Sequence, residues 1–111
     1  MQLTALELDI LDRFYSTYKD RGFPPPENLV VTGRENTGVG RFVELQADVA
    51  IRTDSKVLGI PDQILEMEGV SFGIDVMVWL DDRRRLLRLE LLSYVGGWDG
   101  IERPWSWIVD E

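Results

Sequence analysis

The sequence predicts a single α+β domain, with an N-terminal amphipathic helix packed on an antiparallel sheet of about five strands. Three observations predict it. Leu6, Ile10, Phe14 and Tyr18 recur every four residues, which places them on one face of a helix. Val70 to Tyr94 reads as a long β-hairpin, with apolar and polar positions alternating on both sides of the turn Asp81-Asp82-Arg83-Arg84. Three shorter runs, Leu29 to Arg34, Arg41 to Val49 and Gln63 to Glu68, carry the β-branched composition or the period of two that further strands require.

The helix is predicted over Ala5 to Lys19 and starts at a capping box. The Thr4 hydroxyl accepts from the backbone N–H of Glu7, the Glu7 carboxylate reaches back to Thr4, and Leu3 with Leu8 form a hydrophobic staple around the pair. Leu11 and Tyr15 widen its apolar stripe. Gly22 and Pro24-Pro25-Pro26 stop it, the proline run serving as a stiff extended connector. Between the first two strands, Glu35-Asn36-Thr37-Gly38-Val39-Gly40 is expected to be a hairpin turn with a bulge. A nest of backbone N–H groups for an anion is the functional alternative there. It lacks the Lys-Ser/Thr ending of a phosphate loop and no helix follows, which excludes a nucleotide-binding reading.

Ala50 to Pro61 is polar and irregular. Gln63 to Glu68 is a short strand, with Leu65 and Met67 on one side, leading through Gly69 into the central hairpin. There the strand starts at Phe72 and puts Ile74, Val76, Val78 and Leu80 on the core face, and its return strand contributes Leu87, Leu89 and Leu91. The helix stripe Leu6, Ile10, Phe14 is expected to meet Val76, Val78, Leu89 and Leu91, the strands following one another as a meander. After Tyr94 the chain looks too broken by glycine and proline for a helix or a long strand, yet it holds three of the four tryptophans. Tryptophans in such a segment either fold back over a sheet face or stand out as anchors for a partner.

Composition narrows the chemistry. The chain has neither cysteine nor histidine, which excludes disulfides, thiolate metal sites and the His-dependent nucleophile systems, and fits a reducing, cytoplasmic setting. Apolar runs are too short for a membrane helix, and the N-terminus carries acids where a signal peptide carries Lys or Arg. Twelve Lys and Arg against twenty Asp and Glu leave a net charge of −8. That charge repels phosphate backbones and anionic membranes, so nucleic acid and membrane are not expected partners.

The run Val31-Thr32-Gly33-Arg34-Glu35-Asn36-Thr37-Gly38-Val39-Gly40-Arg41-Phe42, with Leu89-Glu90-Leu91-Leu92-Ser93-Tyr94 and Trp98 far downstream, resembles a group of small uncharacterised bacterial proteins. In that group Arg-x-x-Thr-Gly-Val-Gly and an aromatic strand precede a Gly-rich middle and a C-terminal Leu-Glu-x-x-x-Tyr followed by Trp or Pro. The resemblance spans most of the chain from Val31 onward. It departs at Arg41, which stands where an aromatic is expected, and in the longer tryptophan-rich tail. It implies a fold unit and a bacterial source and no established activity.

Without His or Cys, catalysis would rest on carboxylates, and Asp75 and Glu90 are the pair that the hairpin can bring near-opposite on one face, able to share a proton or hold a hard cation. The bland reading pairs them with Arg88 or Arg85. Arg34 with Glu35 is expected to form a structural ion pair or a turn clamp. The leading expectation is a non-enzymatic interaction protein that uses no cofactor and no metal, most concretely an immunity-type inhibitor occluding a basic toxin or nuclease domain. Its partner-binding candidates are Trp98, Asp99, Glu102 and Trp105, with Asp75 and Glu90 secondary. Two other classes stand beside it: a carboxylate-based small-molecule or metal-binding enzyme centred on Asp75 and Glu90, and a homodimer closed by an edge strand or by the tail.

Overall fold

A computed structural model describes residues 1–109 of the 111-residue chain. Its first element, α1 (Ala5–Tyr18), begins at the expected capping box, the Glu7 N–H donating to the Thr4 hydroxyl at 3.2 Å and the Thr4 N–H to the Glu7 carboxylate at 3.0 Å. Lys19–Arg21 tightens into a 3-10 turn, and Gly22, at φ 92°, lets the chain reverse in a conformation that costs other residues more. Pro25 is extended as expected of the proline run, but Pro26–Asn28 coils into a second 3-10 turn.

Among the described residues seven strands follow: β1 (Val30–Asn36), β2 (Gly40–Gln46), β3 (Val57–Leu58), β4 (Gln63–Met67), β5 (Asp75–Leu80), β6 (Leu86–Leu92) and β7 (Trp105–Val109). Five of them form an antiparallel sheet in the order β1-β2-β6-β5-β3, while β4 and β7 pair antiparallel in a small separate sheet. The fold is therefore α+β, one N-terminal helix on a five-stranded antiparallel sheet. Leu6, Ile10, Leu11 and Phe14 of α1 share one core with Val43, Leu45, Val76, Val78, Leu89 and Leu91. Each such burial contributes about 1.5–3 kcal/mol. The helix stripe thus meets the hairpin face that the alternation assigned to it.

Several expectations are corrected. The order is not a meander, because the chain passes from β2 to the far edge at β3 and then leaves the sheet for β4. Ala50 to Pro61 is not wholly irregular, since Val57 and Leu58 pair with Trp79 and Val78. β4 does not simply lead into the hairpin. It pairs along its whole length with β7, a strand in the tail where glycine and proline predict none of any length. Those breakers all precede Trp105, so Trp105-Ser106-Trp107-Ile108-Val109 is itself an uninterrupted alternating run.

On β6 the register shifts: Trp79 faces Arg88 but Leu80 faces Leu86, so Leu86 enters the core and Leu87 is bulged out and exposed. β5 begins at Asp75 rather than Phe72, which sits in the preceding turn. In the β1–β2 hairpin the irregularity lies between Val31 and Gly33, not in the turn. At the helix start Leu3 packs against the core while Leu8 is exposed, so the expected staple does not bury Leu8.

Candidate functional site

The tail residues expected to present a binding rim are engaged within the chain. Trp98 is 3% exposed, its indole N–H donates to the Ile101 carbonyl at 2.9 Å, and the Arg41 guanidinium lies 4.8 Å from its ring centre. It is not an exposed anchor, because an apolar ring over the sheet rim gains more from burial than from water. Glu102 turns inward and accepts from Arg41 at 2.6 Å. Asp99 is exposed but clamped by Arg103 at 2.7 and 2.9 Å, and that fork holds its carboxyl down to about 2. The Trp105 and Trp107 indoles both donate to one Asp9 oxygen, at 2.8 and 2.9 Å, and Arg13 stacks 4.3 Å from the Trp107 ring centre. This segment is a strap that ties β7 to α1.

Beneath the strap lies a charge cluster that reading the sequence missed. Glu7 is 0% and Arg41 4% exposed. Arg34 donates to Glu7 at 2.5 and 2.7 Å, Arg41 donates to it at 3.0 Å, and Arg41 reaches Glu102, Asn36 and the Gly100 carbonyl as well. Arg34 thus pairs with Glu7 across the fold and not with its neighbour Glu35. Burial alone pushes the Glu7 carboxyl up, but hydrogen bonds from Arg34 and Thr4 and the charges of Arg34 and Arg41 outweigh it, so the net shift is downward. Two acids and two bases satisfy one another there. The cluster fastens helix, sheet and tail together.

The opposite face of the five-stranded sheet carries a different set. Because Val76, Val78 and Leu80 point to the core, Asp75, Met77 and Trp79 of β5 point the other way, beside Arg88, Glu90 and Leu92 of β6 and Phe42 and Glu44 of β2. α1, the α-helix among the described residues, lies on the core side, so no helix covers this face. The Trp79 indole donates to Glu90 at 3.0 Å, and Arg88 spreads over Phe42, 5.3 Å from its ring centre, with Glu44 3.8 Å away. Four carboxylates, Glu35, Glu44, Asp75 and Glu90, share the face with one guanidinium, that of Arg88.

Asp75 and Glu90, the secondary candidates, do share this face. They are not opposite one another: Asp75 faces Leu92 and Glu90 faces Met77, which leaves the two carboxylates on a diagonal. Neither pairs with Arg85 or Arg88, which sit 3.7 Å from Asp81 and 3.8 Å from Glu44. Asp75 instead accepts from the Tyr94 hydroxyl at 2.6 Å, and that bond together with the Asp75 charge raises the Tyr94 phenol. Two hollows open on this side. One of about 310 Å³ lies between Phe42, Trp79 and Leu87. The other, of about 440 Å³, runs between β4 and β5 beside Asp75 and Tyr94. Among the described residues no cluster of three acids forms a cation site, and no helix is long and apolar enough to cross a membrane. No family model, curated protein or solved structure matches the chain.

Proposed function

We propose that this chain is a non-enzymatic, cytoplasmic interaction protein whose uncovered sheet face binds a basic protein partner, most concretely as an immunity-type inhibitor that occludes the active site of a basic toxin or nuclease domain. One observation carries the reading: on the side of the sheet away from the helix, half-exposed Phe42 of β2 and Met77 and Trp79 of β5 flank Arg88 and Glu90 of β6, with Glu35, Glu44 and Asp75 around them. Aromatic side chains surrounded by charge make up the usual anatomy of an interface hot spot. The net charge of −8 selects for a basic surface by raising the encounter rate with it.

The test is affinity capture with tagged wild-type protein at low and high salt, followed by identification of the stoichiometric partner. A basic partner released by salt is expected. Trp79→Ala is expected to weaken its binding by about thirtyfold, the loss of one central tryptophan anchor, while Asp99→Asn, altering a carboxylate already clamped by Arg103, leaves it unchanged. If both variants bind like wild type, the face is misassigned. Sedimentation as a concentration-dependent dimer whose association is lost in Trp79→Ala would make the occupant a second copy of the chain.

A further inference from the structure

We propose that the hollow between β4 and β5 is a pocket for an arginine side chain of the partner, an inference that rests on reading the uncovered sheet face as the interaction surface. Ile64, Ile74 and Met77 supply apolar lining, Phe72 and Tyr94 supply aromatic rings, and Asp75 supplies a carboxylate, around a volume of about 440 Å³. Three features of these residues point outward to a ligand.

The first is Phe72. It is 86% exposed and sits at φ +64°, in the left-handed region that bulky L-residues rarely occupy. The turn itself explains part of the geometry: at the next residue, Gly73 (φ +82°), an added Cβ would meet the Leu65 carbonyl at 3.1 Å and an Ile64 methyl at 3.2 Å, so the chain is pressed against β4. Asn or Gly at position 72 would satisfy that turn with less strain. Among the described residues nothing buries the phenyl ring to offset the conformation, and strained exposed positions of this kind gather at binding sites.

The second is Asp75, which lies beside those rings. One of its oxygens accepts from Tyr94, and among the described residues no ion pair engages its carboxylate. Third, Tyr94 is itself largely exposed, its hydroxyl committed to Asp75 while the ring remains open to solvent. A carboxylate flanked by two open aromatic rings and apolar walls matches a guanidinium on a three-carbon stem. The stem lies along Ile64 and Met77, the guanidinium plane stacks on a ring, and its N–H groups donate to the oxygen of Asp75 that Tyr94 leaves open.

The probe is N-acetyl-arginine N-methylamide, titrated into ¹⁵N-labelled protein, with the neutral isostere N-acetyl-citrulline N-methylamide and the lysine analogue in parallel. Saturable shifts confined to the amides of Ile64 and of Phe72 to Met77 and to Tyr94 are expected with the arginine probe. Citrulline is expected to bind at least about tenfold more weakly, since it keeps the shape and loses the charge-assisted bonds. Asp75→Asn abolishes the selectivity for arginine over citrulline. Phe72→Asn is expected to keep or raise the melting temperature while weakening the arginine probe, a combination that a purely structural turn residue would not produce. Shifts scattered over all the surface acids, equal binding of citrulline, or lysine binding as well as arginine would overturn the pocket. Capture of the partner is measured on the same variants: if it needs Trp79 while the arginine probe stays out of the hollow, the pocket falls and the interaction face stands.

Discussion

Glu7 does two things at once. As the N3 residue of the capping box it closes the start of α1, and as the centre of a buried cluster it accepts from Arg34 and Arg41. Glu102 completes the arrangement, lying 3.4 Å from the Leu6 N–H at the helix N-terminus, where the helix dipole favours a negative charge. Removing the Glu7 charge leaves two guanidiniums partly or fully out of water with too little to balance them, so Glu7→Gln is expected to cost about 3–5 kcal/mol at neutral pH. The sign with pH follows from the lowered carboxyl. A group whose folded pKa lies below its unfolded value of about 4.3 stabilises fully above that value and loses the contribution as pH falls through the folded pKa. Urea midpoints of wild type and Glu7→Gln should therefore converge on acidification below about pH 4.3. A gap that persists at low pH would show that packing, not charge, fixes this residue. The pattern that places Glu7 inward was present in the sequence: Leu3, Glu7, Ile10 and Phe14 share a stripe, and Arg41 shares the parity of Val43 and Leu45. It went unread because the capping box already explained Glu7, and an arginine in a strand is ordinarily assigned to the wet face.

Elements were legible where their periodicity was long enough to be unambiguous. α1 has four turns of stripe and a cap, and β2, β4 and β5 alternate over five or more residues with β-branched or long apolar side chains. β3 is two residues long, too short for any period to show, and it exists because the edge of β5 offers partners to Val57 and Leu58. β7 was hidden by its approach, and its pairing with β4 is a contact between segments some forty residues apart that no local pattern encodes. What fixes β7 on the helix is specific: both indole N–H groups converge on Asp9, and Arg13, stacked on Trp107, donates to Gln63 of β4 at 2.7 Å. Asp9→Ala leaves two half-buried donors without that acceptor. It is expected to lower stability by about 1–3 kcal/mol and to raise amide exchange in β4 and β7 ahead of the five-stranded sheet, whose ladder does not depend on Asp9. Uniform loss of protection in both sheets would mean that the small sheet and the large one unfold as one unit.

At the scale of the whole molecule, the charges divide into two populations that salt should affect unequally. The buried cluster of Glu7, Arg34, Arg41 and Glu102 is largely shielded from solvent and nearly balanced in itself. Most of the net −8 therefore resides on the surface, where like charges repel one another over about 8–10 Å at moderate ionic strength. Screening relieves that repulsion, so the melting temperature is expected to rise as salt increases from low to physiological concentration. On the proposed function, the same screening would remove the attraction between the uncovered face and a basic partner, so the association rate is expected to fall over the same range, with dissociation changing less because the Phe42, Met77 and Trp79 contacts would govern it. Acidity alone, which was what the sequence offered, does not separate solubility from recognition. The paired salt series does: a rising melting temperature with an unchanged association rate would identify the surface acids as solubilising charge and move the partner's contacts off the sheet face.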